Sequence, residues 1–177
     1  MPATPTQLLT FAEFERLPDP REGYYELHHG ELTLLAPPKH LHYRLQTRMQ
    51  RLLQSSAGDA WVVGTEMPFR PQPDCEFWYA DIAVIAADRF EATDAQGNIH
   101  GVPELVIEVL SPSNTAAEML DRRDICLHNG AREFWVVNPA HNLVEVYTPD
   151  GRYLSYRAGQ QVPLFCGGSL AMDAIFR

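Results

Sequence analysis

Two carboxylates stand inside otherwise apolar runs, Asp81 in Tyr-Ala-Asp-Ile-Ala-Val-Ile and Glu108 in Leu-Val-Ile-Glu-Val-Leu. An ionised carboxylate removed from water costs several kcal/mol unless it is paired, hydrogen-bonded or bound to a cation. Each acid alone has a plain structural reading, facing outwards or meeting an arginine. Two of them on neighbouring strands favour a shared site. Converging, they form a hard, oxygen-rich pocket suited to Mg²⁺ or Mn²⁺, which take carboxylates, backbone carbonyls and waters in octahedral geometry. The carbonyl of Val109 is placed to join them. A cation so held orients a water, lowers its pKa and stabilises charge on a phosphoryl oxygen, so the reaction class is phosphodiester hydrolysis.

Other residues are weaker candidates. Glu31, opening the second arm of a hairpin, and Glu66, within the strand Trp61–Phe69, either hold a metal-bound water or are solvated edge charges. His42 begins an amphipathic helix beside Pro37-Pro38 and can approach a site built at that end; a plain helix-start histidine is the alternative. The histidines at 28, 29, 40, 100, 128 and 141 show no HExxH or other ligand spacing. No Gly-rich phosphate loop, GxSxG elbow or kinase-like set occurs, which sets aside P-loop and serine-hydrolase chemistry. Cys75, Cys126 and Cys166 are too scattered for a disulfide framework or a zinc knuckle and read as reduced packing residues.

The elements that must position these groups follow from periodicity. Thr10-Phe11-Ala12-Glu13 has the form of a capping box and opens a short helix that Pro18 ends. Tyr24–His28 and Glu31–Ala36 flank His29-Gly30 as a hairpin. Leu41, Leu45, Met49, Leu52 and Leu53 recur at helical steps, predicting a helix over Leu41–Leu53 stopped by Gly58. Strands follow at Trp61–Phe69 and Trp78–Ala86, then a loop over 88–103. Leu105–Leu110 reads as a central strand covered on both faces. A helix over Thr115–His128 leads into Phe134–Asn138, a right-handed βαβ crossover, and Leu143–Tyr147 and Tyr153–Tyr156 close an antiparallel meander.

The chain has 177 residues, 45% apolar and 21% charged, which fits one globular domain over 1–177. No run reaches the length of a membrane span, and the first residues lack a basic region and an apolar signal core, so a cytoplasmic protein without a membrane partner is expected. The net charge of −9 is opposite in sign to a broad nucleic-acid clamp. Lys39 is the sole lysine, so chemistry that needs a titratable lysine has one candidate.

The string itself carries more. Tyr25-Glu26-Leu27 to Gly30-Glu31-Leu32, Pro37-Pro38 with His42, Ala80-Asp81-Ile82-Ala83-Val84, the run Pro103 to Ser113, and Gly130 to Pro139 around Glu-Phe-Trp-Val-Val together resemble the Uma-type restriction endonuclease family of the PD-(D/E)XK nuclease superfamily, over roughly residues 10 to 176. The resemblance implies an α/β (α+β) fold: a restriction endonuclease-like mixed sheet flanked by helices, with an N-terminal helix and hairpin and a C-terminal meander. It implies Asp81 and Glu108 as metal ligands for Mg²⁺ or Mn²⁺, Glu31 and His42 as recurrent family positions, and DNA as substrate.

Three departures bear on activity. Ala80 replaces the proline before the motif aspartate, Leu110 stands where the superfamily pattern has lysine, and Arg122 stands at the family's lysine position, with Cys126 for the aromatic four residues on. Arginine keeps the positive charge but cannot act as a general base. Arg122 is otherwise read as a surface partner for Glu118. Two functions follow: a Mg²⁺-dependent DNA endonuclease, or a catalytically weakened member that binds nucleic acid or a protein partner. A homodimer along the meander suits either, with Phe134, Trp135, Tyr147, Tyr153 and Tyr156 as interface anchors or core.

Overall fold

The computed structural model describes residues 8–94, 97–112 and 114–177. Its first element, α1 (Phe11–Phe14), is a single turn held by the expected capping box, in which Thr10 and Glu13 satisfy each other's backbone N–H groups. Phe11 and Phe14 pack on Phe77, which anchors the hairpin β1 (Tyr24–His28) and β2 (Glu31–Leu35) through paired backbone bonds between Leu27 and Phe77. The hairpin turns on His29 and Gly30 with φ of 50° and 81°. Both values are left-handed, as a two-residue turn matched to the strand twist requires.

The main sheet has seven strands in the order β5-β3-β4-β6-β7-β8-β9. They are β3 (Trp61–Arg70), β4 (Trp78–Ala86), β5 (Ile99–His100), β6 (Leu105–Val109), β7 (Glu133–Asn138), β8 (Leu143–Tyr147) and β9 (Tyr153–Tyr156). β6 and β7 are parallel and joined by the helix α4 (Ala116–His128); β7, β8 and β9 form the predicted meander. The helix α2 (His40–Ala57) covers one face, with Leu45, Met49 and Leu53 against Ile82, Val84, Leu105, Ile107 and Trp135. On the other face Cys126 of α4 packs with Ala83, Ile85, Val106 and Phe134. All five β6 residues are therefore buried, Glu108 among them.

Three expectations need correction. α2 extends over His40–Ala57, longer at both ends than the apolar repeat, because Gln50 and Gln54 bond the backbone of β3 and hold its last turns. The 88–103 region is not simply an exposed loop. It carries the end of α3 (Ala87–Glu91) and all of β5, and Ile99 and Val102 are buried beside β3. After the meander the chain forms a further hairpin, β10 (Gln161–Pro163) with β11 (Ser169–Ala171), and α5 (Met172–Ile175), which complete the core under α2. Among the described residues no helix is long and apolar enough to cross a membrane.

Candidate active site

Asp81 lies on β4 and Glu108 on β6. The β4–β6 register runs through Val84↔Leu105 to Ile82↔Ile107, and one further step sets Asp81 opposite Glu108. The ladder ends at this point, and Asp81 Oδ2 takes the N–H of Val109 at 2.7 Å. The two acids thus take opposite positions on neighbouring strands where the β4–β6 ladder ends.

The walls come from both helical layers. From α2, His42 Nε2 and Gln46 Nε2 each donate to Asp81 Oδ1 at 2.9 Å; residues four apart on a helix share a face. The same Gln46 nitrogen lies 2.5 Å from Glu66 Oε1, and Tyr24 of the hairpin donates its hydroxyl to Glu66 Oε2 at 2.8 Å. Glu66 reaches this position through an unusual backbone. The β3–β4 pairing passes from Thr65↔Ile82 to Met67↔Ala80, and Glu66 between them has φ of 49°. A left-handed residue other than glycine costs of order 1–3 kcal/mol and persists where surrounding contacts fix it.

From α4 comes Arg122, 9% exposed. Its Nη1 and Nη2 donate to the two oxygens of Glu26 at 3.0 and 3.1 Å, and Nη2 also donates to the Tyr79 carbonyl at 2.6 Å. Glu26 is completed by the Tyr79 N–H and by His28 Nε2, each at 2.7 Å. Arg122 Nε lies 3.0 Å from Glu108 Oε1, yet neither atom is aligned for a hydrogen bond.

These environments push the acids apart. Burial raises the Glu26 carboxyl, but the Arg122 guanidinium and the His28 bond outweigh it and pull it down to about 2. At Glu108 burial dominates: its carboxyl is held well above the ordinary range, with Arg122 opposing and the charges of Asp81, Glu26 and Glu66 reinforcing. Burial alone would lower His42, but its bond to Asp81 reverses this and raises it. Arg122 is likewise raised, since Glu108 and Glu26 overcome its desolvation.

His42 is therefore brought to Asp81 and Arg122 to Glu108, with the two acids opposite each other on neighbouring strands, and Val109 contributes its N–H to Asp81. Glu31 is not with them: it is exposed at the hairpin end, where its charge acts on His29. Arg122 is not a surface partner of Glu118, whose carboxylate instead caps Thr115. Lys39 is exposed at the N-cap of α2. Sequence reasoning gave no role to Glu26, Gln46 or Tyr24. For Gln46 a signal existed, because it interrupts the inward row His42, Gln46, Met49, Leu53 with a polar group.

The donors fit a hard cation. Among the described residues no three His, Cys, Asp or Glu side chains form a ready cage, so a metal here would rest on Asp81 and Glu108 with backbone carbonyl and water. Four buried side-chain polar atoms among the described residues lack a hydrogen bond, and three belong to this site: Glu108 Oε1, Arg122 Nε and Gln46 Oε1. Glu108 Oε1 faces the Arg122 guanidinium at 3.0 Å without an aligned bond, which leaves it bonding capacity that a divalent ion would satisfy.

Comparison with known proteins agrees with this architecture. A crystal structure from Anabaena variabilis, described as a putative nuclease belonging to DUF820, superposes with a TM-score of 0.81 at 21% identity, covering 95% of this chain and 97% of that one. At that identity the likeness is one of fold. No curated protein matches the chain. The model of the Uma2 family, described as a putative restriction endonuclease, matches residues 11–166, and the chain accordingly belongs to the Uma2 family.

Proposed function

We propose that the protein is a divalent-metal-dependent DNA endonuclease of the PD-(D/E)XK type. The observation that carries this reading is the register that sets Asp81 opposite the buried Glu108 at the parting of β4 and β6, with Glu108 Oε1 facing Arg122 but making no aligned hydrogen bond. Asp81, Glu108 and the carbonyl of Val109 would hold Mg²⁺ or Mn²⁺, which would supply Lewis acidity at the scissile phosphate. Glu31, exposed at the hairpin end, has no part in this site.

The protein's own groups do the positioning. Asp81 accepts three hydrogen bonds, so roughly one of its four acceptor directions stays free for a ligand, and its plane is fixed. His42 holds its Nε2 proton against Asp81 and is kept more basic by it. Gln46 ties Asp81 to Glu66, so the two cannot drift apart independently. Arg122 stays charged and takes no proton from an attacking water; it orients Glu26 and faces Glu108.

Plasmid DNA incubated with the protein and Mg²⁺ or Mn²⁺ is expected to be nicked, and Asp81→Ala to lose about 10²-fold or more of that rate. Equal nicking by variant and parent would remove Asp81 from the mechanism.

One observation favours a second reading, a catalytically weakened member that binds nucleic acid or a protein partner: every nitrogen of Arg122 already faces a protein oxygen. Calorimetric titration with Mn²⁺ separates the two, since absence of binding at millimolar metal supports the second. Either form assembles as a homodimer through the outer strand β9, where Tyr153 and Leu154 are exposed.

A further inference from the structure

The net charge of −9 hides an uneven distribution. α2, eighteen residues long, contains Arg44, Arg48 and Arg51, two histidines and no aspartate or glutamate. The other long helix, α4, offsets its arginines with Glu118, Asp121 and Asp124. In α2, positions 40, 44, 48 and 51 follow helical spacing and form one stripe, on the face opposite His42, Gln46, Met49 and Leu53. Arg48 is half-buried and bonds the carbonyls of Ile175 and Arg177. Lys39, His40, Arg44 and Arg51 are exposed, and among the described residues none of them forms an ion pair.

The geometry points to this stripe as the docking surface for the phosphate backbone of duplex DNA, an inference that rests on reading the site as a DNA hydrolase. Charge complementarity names the occupant: exposed Arg44 and Arg51, with Lys39 at the helix start and no acid along α2, offer a regularly spaced polyanion cations that no protein carboxylate occupies. Proximity supports it. The first turns of α2 present His42 and Gln46 inwards to Asp81 and His40 and Arg44 outwards. The two faces are separated by about one helix diameter, roughly 10–12 Å.

The test is fluorescence polarisation of a labelled DNA duplex in EDTA, with the full chain, between about 50 and 200 mM salt. An Arg44→Ala/Arg51→Ala double variant is expected to bind at least tenfold more weakly at the low end. Its plot of log affinity against log salt should be shallower than the parent's by about two, because each phosphate that a cation neutralises adds close to one unit to the slope. An Arg16→Ala/Arg152→Ala variant, with the same change in net charge at exposed sites elsewhere, should keep the parent's slope. A parent that does not bind, or slopes that fall equally in both double variants, overturns the proposal. Nicking assays on the same proteins keep the two readings apart. Binding that depends on α2 in a parent that never nicks DNA sinks the hydrolase and leaves the surface standing. Nicking lost in Asp81→Ala, with slopes indifferent to Arg44 and Arg51, does the reverse.

Discussion

A single guanidinium serves two buried carboxylates in this protein, and its division of labour decides their charge. Glu26 receives the aligned, bidentate bonds of Arg122 and lies far below its ordinary value of 4.5, at about 2. A depressed carboxylate stabilises the fold above its unfolded pKa, and that contribution is lost as pH falls through the folded value. Stability is therefore expected to drop between about pH 4.5 and about pH 2. Glu26→Gln should flatten that limb and cost about 3 kcal/mol at neutral pH, read by urea denaturation across pH, because it leaves a buried arginine half-paired. Glu66 makes the opposite point about backbone. With φ of 49°, Glu66→Gly is expected to be more stable than Glu66→Ala by about 1 kcal/mol in the same measurement, although both lose the bonds to Tyr24 and Gln46. Asp81 and Glu108 were legible in the sequence because a charge inside an apolar run is conspicuous. Glu26 and Gln46 were not, because a polar residue in a short hairpin or an amphipathic helix looks ordinary until its partner's position is known.

At the scale of elements, α4 matters beyond its few apolar contacts, because it delivers Arg122 across 96 residues of sequence to Glu26. Its start is fixed by the Thr115–Glu118 capping box. Thr115→Ala is expected to lower stability by about 1 kcal/mol in chemical denaturation, the usual worth of such a cap. His29, at the hairpin turn, lies 2.9 Å from Glu76 and 2.8 Å from Asp121 of α4, so hairpin and helix are tied a second time. The long helices, the central strands and the meander were readable from periods of 3.6 and 2. β5 and the β10–β11 hairpin were not, because strands of two or three residues carry too little pattern and owe their existence to the edge or core they complete.

For the whole molecule, the outer strand β9 sets the expected assembly. Tyr153 and Leu154, 52% and 48% exposed, lie on an edge strand, and unpaired edges invite pairing with a second copy. Light scattering is expected to give about twice the chain mass of 20.0 kDa, and Leu154→Lys to return it to that of one chain. Composition marked the chain as acidic and globular, and hydrophobic period placed most of its strands and helices, because both are local consequences of which side chains leave water. The same locality named Asp81 and Glu108 as acids in need of compensation. The kind of compensation came only with the tertiary structure, since the groups that meet them, His42 and Gln46 of α2, Arg122 of α4 and the Val109 N–H, lie far apart in the chain. Burial and charge at a point in space depend on all of these at once.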